Sequence, residues 1–311
     1  GLRNRNTPIT ILSCDNSQRN GRVLESQFMA YLYQTNQFEL AEWIQANVKF
    51  PSCMVDRITP RSTFKFKCEI EDLFPGFGET SVQTEEYTQW VIEDDFASEF
   101  PKLDEVGVTI TKDIEPYEET KIRILNGSHT SLAYMGVLAG YDTFDQVMSD
   151  KTHRQHFKDL QREEIIPSIE IDLRFDIHDY VDMVEERISS RVNSDELERI
   201  CMDGFTKFHT FVVPSLRVCL ERGKRPIHIY KSIAAWYIYS RKFAKGCKKI
   251  KYSEPNWVLL QPLLEDGNID GFVSNERLWG DIPKNYITFT RDLKTVLMSH
   301  TYEKEIDLIG E

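Results

Sequence analysis

The chain has 311 residues, 41% of them hydrophobic and 28% charged, with a formal net charge of −12. That is a globular composition with room for two domains and a substantial core. The acidic balance argues against a polyanion-binding surface, which needs clustered Lys and Arg, and no apolar run approaches the ~20 residues of a membrane-spanning helix. Six cysteines, at 14, 53, 68, 201, 219 and 247, include no CxxC pair. Neither a zinc signature nor a secreted disulfide framework is written there, so reduced thiols in a cytoplasmic protein are expected.

In chain order, "GLRNRNTPITILSCDN" starts without methionine, one polar segment before a strand, and reads as a chain entered midway. "ITILSCDN" is a short buried strand ending in polar residues, which puts Asp15 and Asn16 where open α/β sheets hold their ligands. By itself the stretch could equally be a turn ending in Asn20-Gly21. Two amphipathic helices follow, "RVLESQFMAYLYQT" and "FELAEWIQANV". "FPSCMVDRITP" then sets Asp56 and Arg57 between two prolines in a stiff loop, where an ordinary salt bridge is the plain reading. "TQWVIED" and "VGVTITKDI" alternate as strands do.

From Pro116 onward the pattern has helical spacing. It runs through "HRQHFKDLQREEIIPSI", "HDYVDMVEERISS", "GFTKFHTFVVPSLRVCLERG" and "HIYKSIAAWYIYSRKFAKG" to a last helix after Pro283. The fold class is α/β followed by mainly α. The basic run from Arg241 is a solvated helix end and loop. His153 and His156 have helical spacing without the further ligands of a metal site.

The stretch "KIRILNGSH" carries Lys121, Asn126 and His129 on what otherwise reads as a buried helix rich in small residues. At about 100° per residue, Asn126 and His129 lie roughly 60° apart and Lys121 roughly 140° from Asn126. On an α-helix the three converge on one ligand only if Lys121 reaches over from a turn and a half away. Burial would lower the lysine pKa toward the range of a general base. Asparagine offers NH₂ donors to an oxygen gaining negative charge, and histidine can donate to or accept from a hydroxyl. One base with oxygen-directed donors suits removal of an alcohol proton. Satisfied core polar groups with a snorkelling lysine are the structural alternative.

A lysine, four residues, an asparagine, two residues and a histidine resembles the signature of the polyol-specific long-chain dehydrogenases. These include mannitol 2-dehydrogenase and the fructuronate and tagaturonate reductases. "SCDN", "MVDRITP", "TQWVIEDDF", "VGVTITKDIEPYEETKIRILNGSH", "LAGYDT", "EER…MDGFTK" and "WGDIP" look like family blocks in family order, over nearly the whole chain.

The resemblance implies metal-independent hydride transfer between a polyol of the mannitol type and a nicotinamide, NAD or NADP. Lys121 would be the general base, and Asn126 and Asn16 would donate to the reacting oxygen. His129 would position the substrate, Val55 and Asp56 would contact its chain, and Arg187 would reach a hydroxyl or carboxylate. Hexuronate reduction, of fructuronate or tagaturonate, is the alternative within the class. A non-catalytic helical binding module is the alternative outside it. The implied partner is a small polyol, ketose or sugar acid, with no nucleic acid or membrane, on a monomer or weak homo-oligomer.

The chain departs from the family at "ISSR" after Arg187, where a phenylalanine, serine, asparagine and proline are usual, and at Phe205, where serine is common. Family members are longer and begin with a strand, a glycine-rich turn and a helix that hold the cofactor pyrophosphate. The nearest stretch here, "PGFGET" at Pro75, has two glycines of a GxGxxG and reads as a turn. Residues 1–112 are therefore expected to be the later part of a nucleotide-binding α/β domain, and 113–311 a helical substrate domain. Dinucleotide binding by this chain alone is expected to be weak or absent.

Overall fold

The computed structural model describes residues 7–305 apart from 174, 193 and 266. The chain forms two compact units. One is the chain up to Thr59 with Thr84–Glu119, and the other is Pro60–Gln83 with the chain from Thr120 onward.

In the first unit, β1 (Ile9–Thr10) pairs in parallel with β2 (Val48–Lys49). Parallel neighbours need a long crossover, supplied here by α1 (Asn20–Gln34) and α2 (Phe38–Asn47). Leu32, Ala41 and Ile44 from the two helices close over Val48 and Phe50, with Leu24, Met29 and Trp43 at the margin. A second sheet has the order β3 (Cys53–Asp56), β4 (Gln89–Glu93), β5 (Thr109–Thr111), antiparallel then parallel. Met54, Val91 and Ile114 form its core, and α3 (Glu115–Thr120) follows it.

β1 is shorter than the sequence pattern suggests. After Ile11, whose N–H still reaches the Lys49 carbonyl at 2.9 Å, the chain leaves the ladder. Its place beside β3 is taken by the buried side chain of Asn20, which donates to the Asp15 and Cys53 carbonyls at 2.8 and 2.7 Å and accepts from the Cys53 N–H at 2.9 Å. Asn20 thus opens a helix rather than ending a turn. Gly21 follows because a Cβ there would lie 2.3 Å from the Phe50 carbonyl oxygen.

The second unit is built of helices. Around its centre are α4 (Gly127–Leu138), α5 (Phe144–Ser149), α6 (Lys151–Leu160), α7 (Ile177–Ile188), α8 (Gly204–Lys207), α9 (Val213–Glu221) and α10 (Ile227–Ala244). α10 is buried without a break from Ser232 to Ser240, as expected of a helix whose apolar residues run all round it. It packs on α4 and on the last helix, Ile287–Glu305. Among the described residues, three segments interrupt the α-helices with π-helical turns: Lys121–Asn126, Gln161–Ile165 and Phe208–Val212.

The "MDGFTK" loop is seated on an aromatic floor. Asp203 takes a left-handed φ of 54°, and a Cβ on Gly204 would lie 2.4 Å from Trp236 Nε1 and 2.6 Å from the Tyr134 and Tyr252 hydroxyls. Those groups are fixed: Tyr134 donates to the Cys201 carbonyl at 2.8 Å, and Trp236 donates to the Tyr252 hydroxyl at 2.9 Å. Gly204→Ala is expected to cost about 1–3 kcal/mol, as overpacking of a filled core does. A urea unfolding curve checks this, and a midpoint equal to the parent's would show that the floor yields.

Candidate active site

Lys121 opens the first π turn and Asn126 ends it. In this turn the Gly127 N–H bonds the Ile122 carbonyl, five residues back. A turn of that width places residues five apart one above the other. Lys121 and Asn126 are five apart, so the two that an α-helix would hold roughly 140° apart come to one face. His129 follows in the first turn of α4.

Lys121 is 5% exposed and Arg187, in the last turn of α7, is 9% exposed. Asn126 and His129 are half-buried, and among the described residues neither side chain has a hydrogen-bond partner. The His129 ring packs on Phe144 with centroids 4.5 Å apart.

Charge makes this cluster unusual. Burial first, and then the positive charges of Arg187, Arg199, Lys207 and Lys121, push the His129 imidazole from its usual 6.5 down to about 3. The ring therefore stays neutral at ordinary pH, able to donate from one nitrogen and accept at the other. Two of the cations are tied down. Arg199 forms a two-pronged ion pair with Asp195, and Lys207 Nζ donates to the Ile200 carbonyl at 2.8 Å.

The remaining sequence candidates lie in the first unit. Asn16 is exposed, its N–H bonded to Asp15 Oδ1 at 2.9 Å. Val55 is half-buried and Asp56 buried at the end of β3, opposite Trp90 and Gln89. The Asn20 side chain links the two segments, since it joins the Asp15 carbonyl to the backbone of Cys53. Arg57 Nε donates to the Glu85 carbonyl at 3.1 Å.

A dinucleotide needs a phosphate cradle of free backbone N–H groups. The Gly76–Gly78 turn does not supply one, because both glycine N–H groups donate to the Glu71 carboxylate, at 2.8 and 2.9 Å, and hold its pKa down. No GxGxxG occurs in the 311 residues. Among the described residues no group of three or more His, Cys, Asp or Glu side chains is placed to hold a metal ion.

Sequence reading missed Arg199 and Lys207 as members of the cationic cluster. Lys207 stands at the end of a block that resembled the family, but nothing in its spacing shows that it reaches the field of a histidine far back in the chain. Glu118 was also missed. It is buried three residues before Lys121 and accepts the Arg19 N–H at 3.0 Å, and burial lifts its carboxyl to about 7.

Two family models match: the mannitol dehydrogenase Rossmann domain over residues 2–105 and the mannitol dehydrogenase C-terminal domain over residues 113–298. The chain belongs to the mannitol dehydrogenase family. Among curated relatives, mannitol 2-dehydrogenase of Pyrenophora tritici-repentis is 33% identical over 93% of this chain and 52% of its own length. That of Cereibacter sphaeroides is 36% identical over 82% and 53%. The chain thus spans about half the length of the relatives it matches.

Among solved structures, the Pseudomonas fluorescens mannitol 2-dehydrogenase ternary complex with NAD and D-mannitol superposes with a TM-score of 0.81. It is 30% identical, over 94% of this chain and 60% of that one. A substrate-free D-sorbitol dehydrogenase gives 0.82 at 27% identity with the same coverage.

The pH behaviour of the cluster can be checked directly. Between pH 6.5 and about 3 the unfolded chain binds a proton at His129 that the folded chain does not. Its contribution to stability is therefore lost as the pH falls through that window. His156, lowered to about 3 chiefly by burial, acts in the same sense. Glu164, raised to about 7 by burial, acts in the opposite one: its contribution is lost as the pH rises from 4.5 to 7. In a pH titration followed by NMR, the His129 and His156 ring signals are expected to stay at neutral-imidazole shifts from pH 8 to 5. Titration of His129 near its usual 6.5 would show that the ring is not held in the buried, positively charged surroundings described above.

Proposed function

We propose that the chain carries the substrate-binding and proton-transfer residues of an NAD(P)-dependent dehydrogenase that interconverts a mannitol-type polyol and its 2-ketose. The observation that carries this reading is the π turn, which sets Lys121 and Asn126 on one face beside a neutral histidine. Lys121 accepts the proton of the secondary alcohol and returns it to the ketone oxygen in reduction. The Asn126 amide donates to that oxygen as negative charge develops on it. His129, uncharged, holds a neighbouring hydroxyl, and Arg187 reaches another oxygen of the substrate. By the same reading Asn16 also donates to the reacting oxygen, and Val55 and Asp56 contact the substrate chain. A nicotinamide is the hydride partner by the same reading, which draws on the NAD and D-mannitol bound to the Pseudomonas fluorescens relative. No zinc or other metal takes part.

One observation favours a second reading, reduction of a hexuronate such as fructuronate or tagaturonate. Arg187 is a buried arginine, and an arginine can take a terminal carboxylate through two parallel hydrogen bonds. A panel of fructose, fructuronate and tagaturonate, assayed with NADH and NADPH on the intact enzyme that carries this chain, separates the two. Turnover of fructose alone supports the first reading, turnover of a keto acid alone supports the second, and turnover of none contradicts both.

In the intact enzyme, replacing Lys121 by Ala is expected to lower kcat and kcat/KM together by roughly 10²-fold or more, as loss of a general base does. A rise in KM alone would make Lys121 a binding residue. Asn126→Ala is expected to raise the barrier by about 2.7–4 kcal/mol, the usual worth of one oxyanion donor. Steady-state kinetics on the reactive ketose checks both.

A further inference from the structure

We infer that Gln161 is a positioning residue whose side-chain amide holds the first π turn open and so keeps Lys121 and Asn126 on one face. The inference rests on the reading of those two residues as the proton-transfer pair. Gln161 lies 35 residues beyond Asn126, at the start of the second π turn, and is 1% exposed. Its Nε2 donates to the Ile124 carbonyl at 3.2 Å, inside the first turn, and to Ser128 Oγ just past its end. One planar amide thus straddles the point where the wide turn gives way to α4.

Chemistry fixes the direction of that amide. The Ile124 carbonyl can only accept, so the NH₂ end must face it, and the Gln161 oxygen is left buried without a hydrogen-bond partner among the described residues. A buried amide that gives up half of its bonding capacity is a costly way to fill space. Its two donated bonds are what the structure gains from it.

The surroundings repeat the same theme. The first π turn packs on the second and the third. A Cβ on Gly127 would lie 3.1 Å from the Phe211 carbonyl oxygen in the third, so the missing side chain lets that backbone approach. Single π turns are rare and tend to sit at functional sites, and an ordinary α-helical path would satisfy its own carbonyls without outside help. Relaxation to that path would carry Lys121 to roughly 140° from Asn126.

The test uses Gln161→Met, which keeps length and volume but removes both donors, and Gln161→Glu, whose ionised form can only accept. Hydrogen–deuterium exchange is compared between the peptide covering 121–129 and the peptide covering α10. The expected result is exchange about tenfold faster or more at 121–129, with α10 within about twofold of the parent. In ketose reduction, kcat is expected to fall about tenfold or more while KM stays within about threefold. Unchanged exchange at 121–129 would overturn the inference, as would equal loosening of both peptides, which would make Gln161 an ordinary core residue. A loosened turn with kcat intact would also overturn it. If the parent reduces no ketose, the proton-transfer reading fails on its own, and the exchange comparison still decides whether Gln161 holds the turn.

Discussion

The candidate site depends on one constraint, the i→i+5 bonding of Lys121–Asn126, which includes the bond from the Gly127 N–H to the Ile122 carbonyl. Closing the turn over five residues instead of four converts a lysine and an asparagine on separate faces into neighbours. The cost is a helix that no longer satisfies itself in the ordinary way. The neighbouring structure offsets that cost with a buried glutamine, a glycine against a carbonyl, and two further wide turns packed alongside. A fold made of regular helices could hold the same residues and still not present them together.

Electrostatics then defines what the face can do. Burial, with the positive charges of Arg187, Arg199, Lys207 and Lys121 adding to it, makes His129 a poor base at neutral pH and leaves it as a hydrogen-bonding group. In the proposed reaction that leaves the proton transfer to Lys121. The field of Arg187, Arg199 and Lys207 also favours negative charge nearby, which a developing alkoxide and a substrate carboxylate would both use. That shared preference is why polyol and hexuronate stay close as substrate classes on these residues alone.

Much of the fold was legible in the sequence because burial writes a period. "HIYKSIAAWYIYSRKFAKG" and "HDYVDMVEERISS" have helical spacing, and both are helices, Ile227–Ala244 and Ile177–Ile188. "TQWVIED" alternates, and Gln89–Glu93 is a strand. The turn at Gly76–Gly78 was legible from its two glycines, although the carboxylate that fills it was not. Lys121, Asn126 and His129 stood out by residue type, but an α-helical period misplaced the first of them. An i→i+5 turn has no pattern of its own in the chain. Gln161, Arg199 and Lys207 were hidden for a related reason: each acts on a residue brought to it by packing, and sequence spacing carries no record of that. Asn20 read as half of a turn dipeptide because its partner, the Cys53 backbone, lies 33 residues away.

The central claim is that Lys121 and Asn126 act on one oxygen, and a double-mutant cycle tests it most directly. Ketose reduction would be measured for Lys121→Ala, Asn126→Ala and the pair. Residues that serve one transition-state oxygen are strongly coupled, so the double variant is expected to be little worse than Lys121→Ala alone. Losses that simply multiply would show that the two act independently, and would contradict the claim that the π turn brings them to a common oxygen.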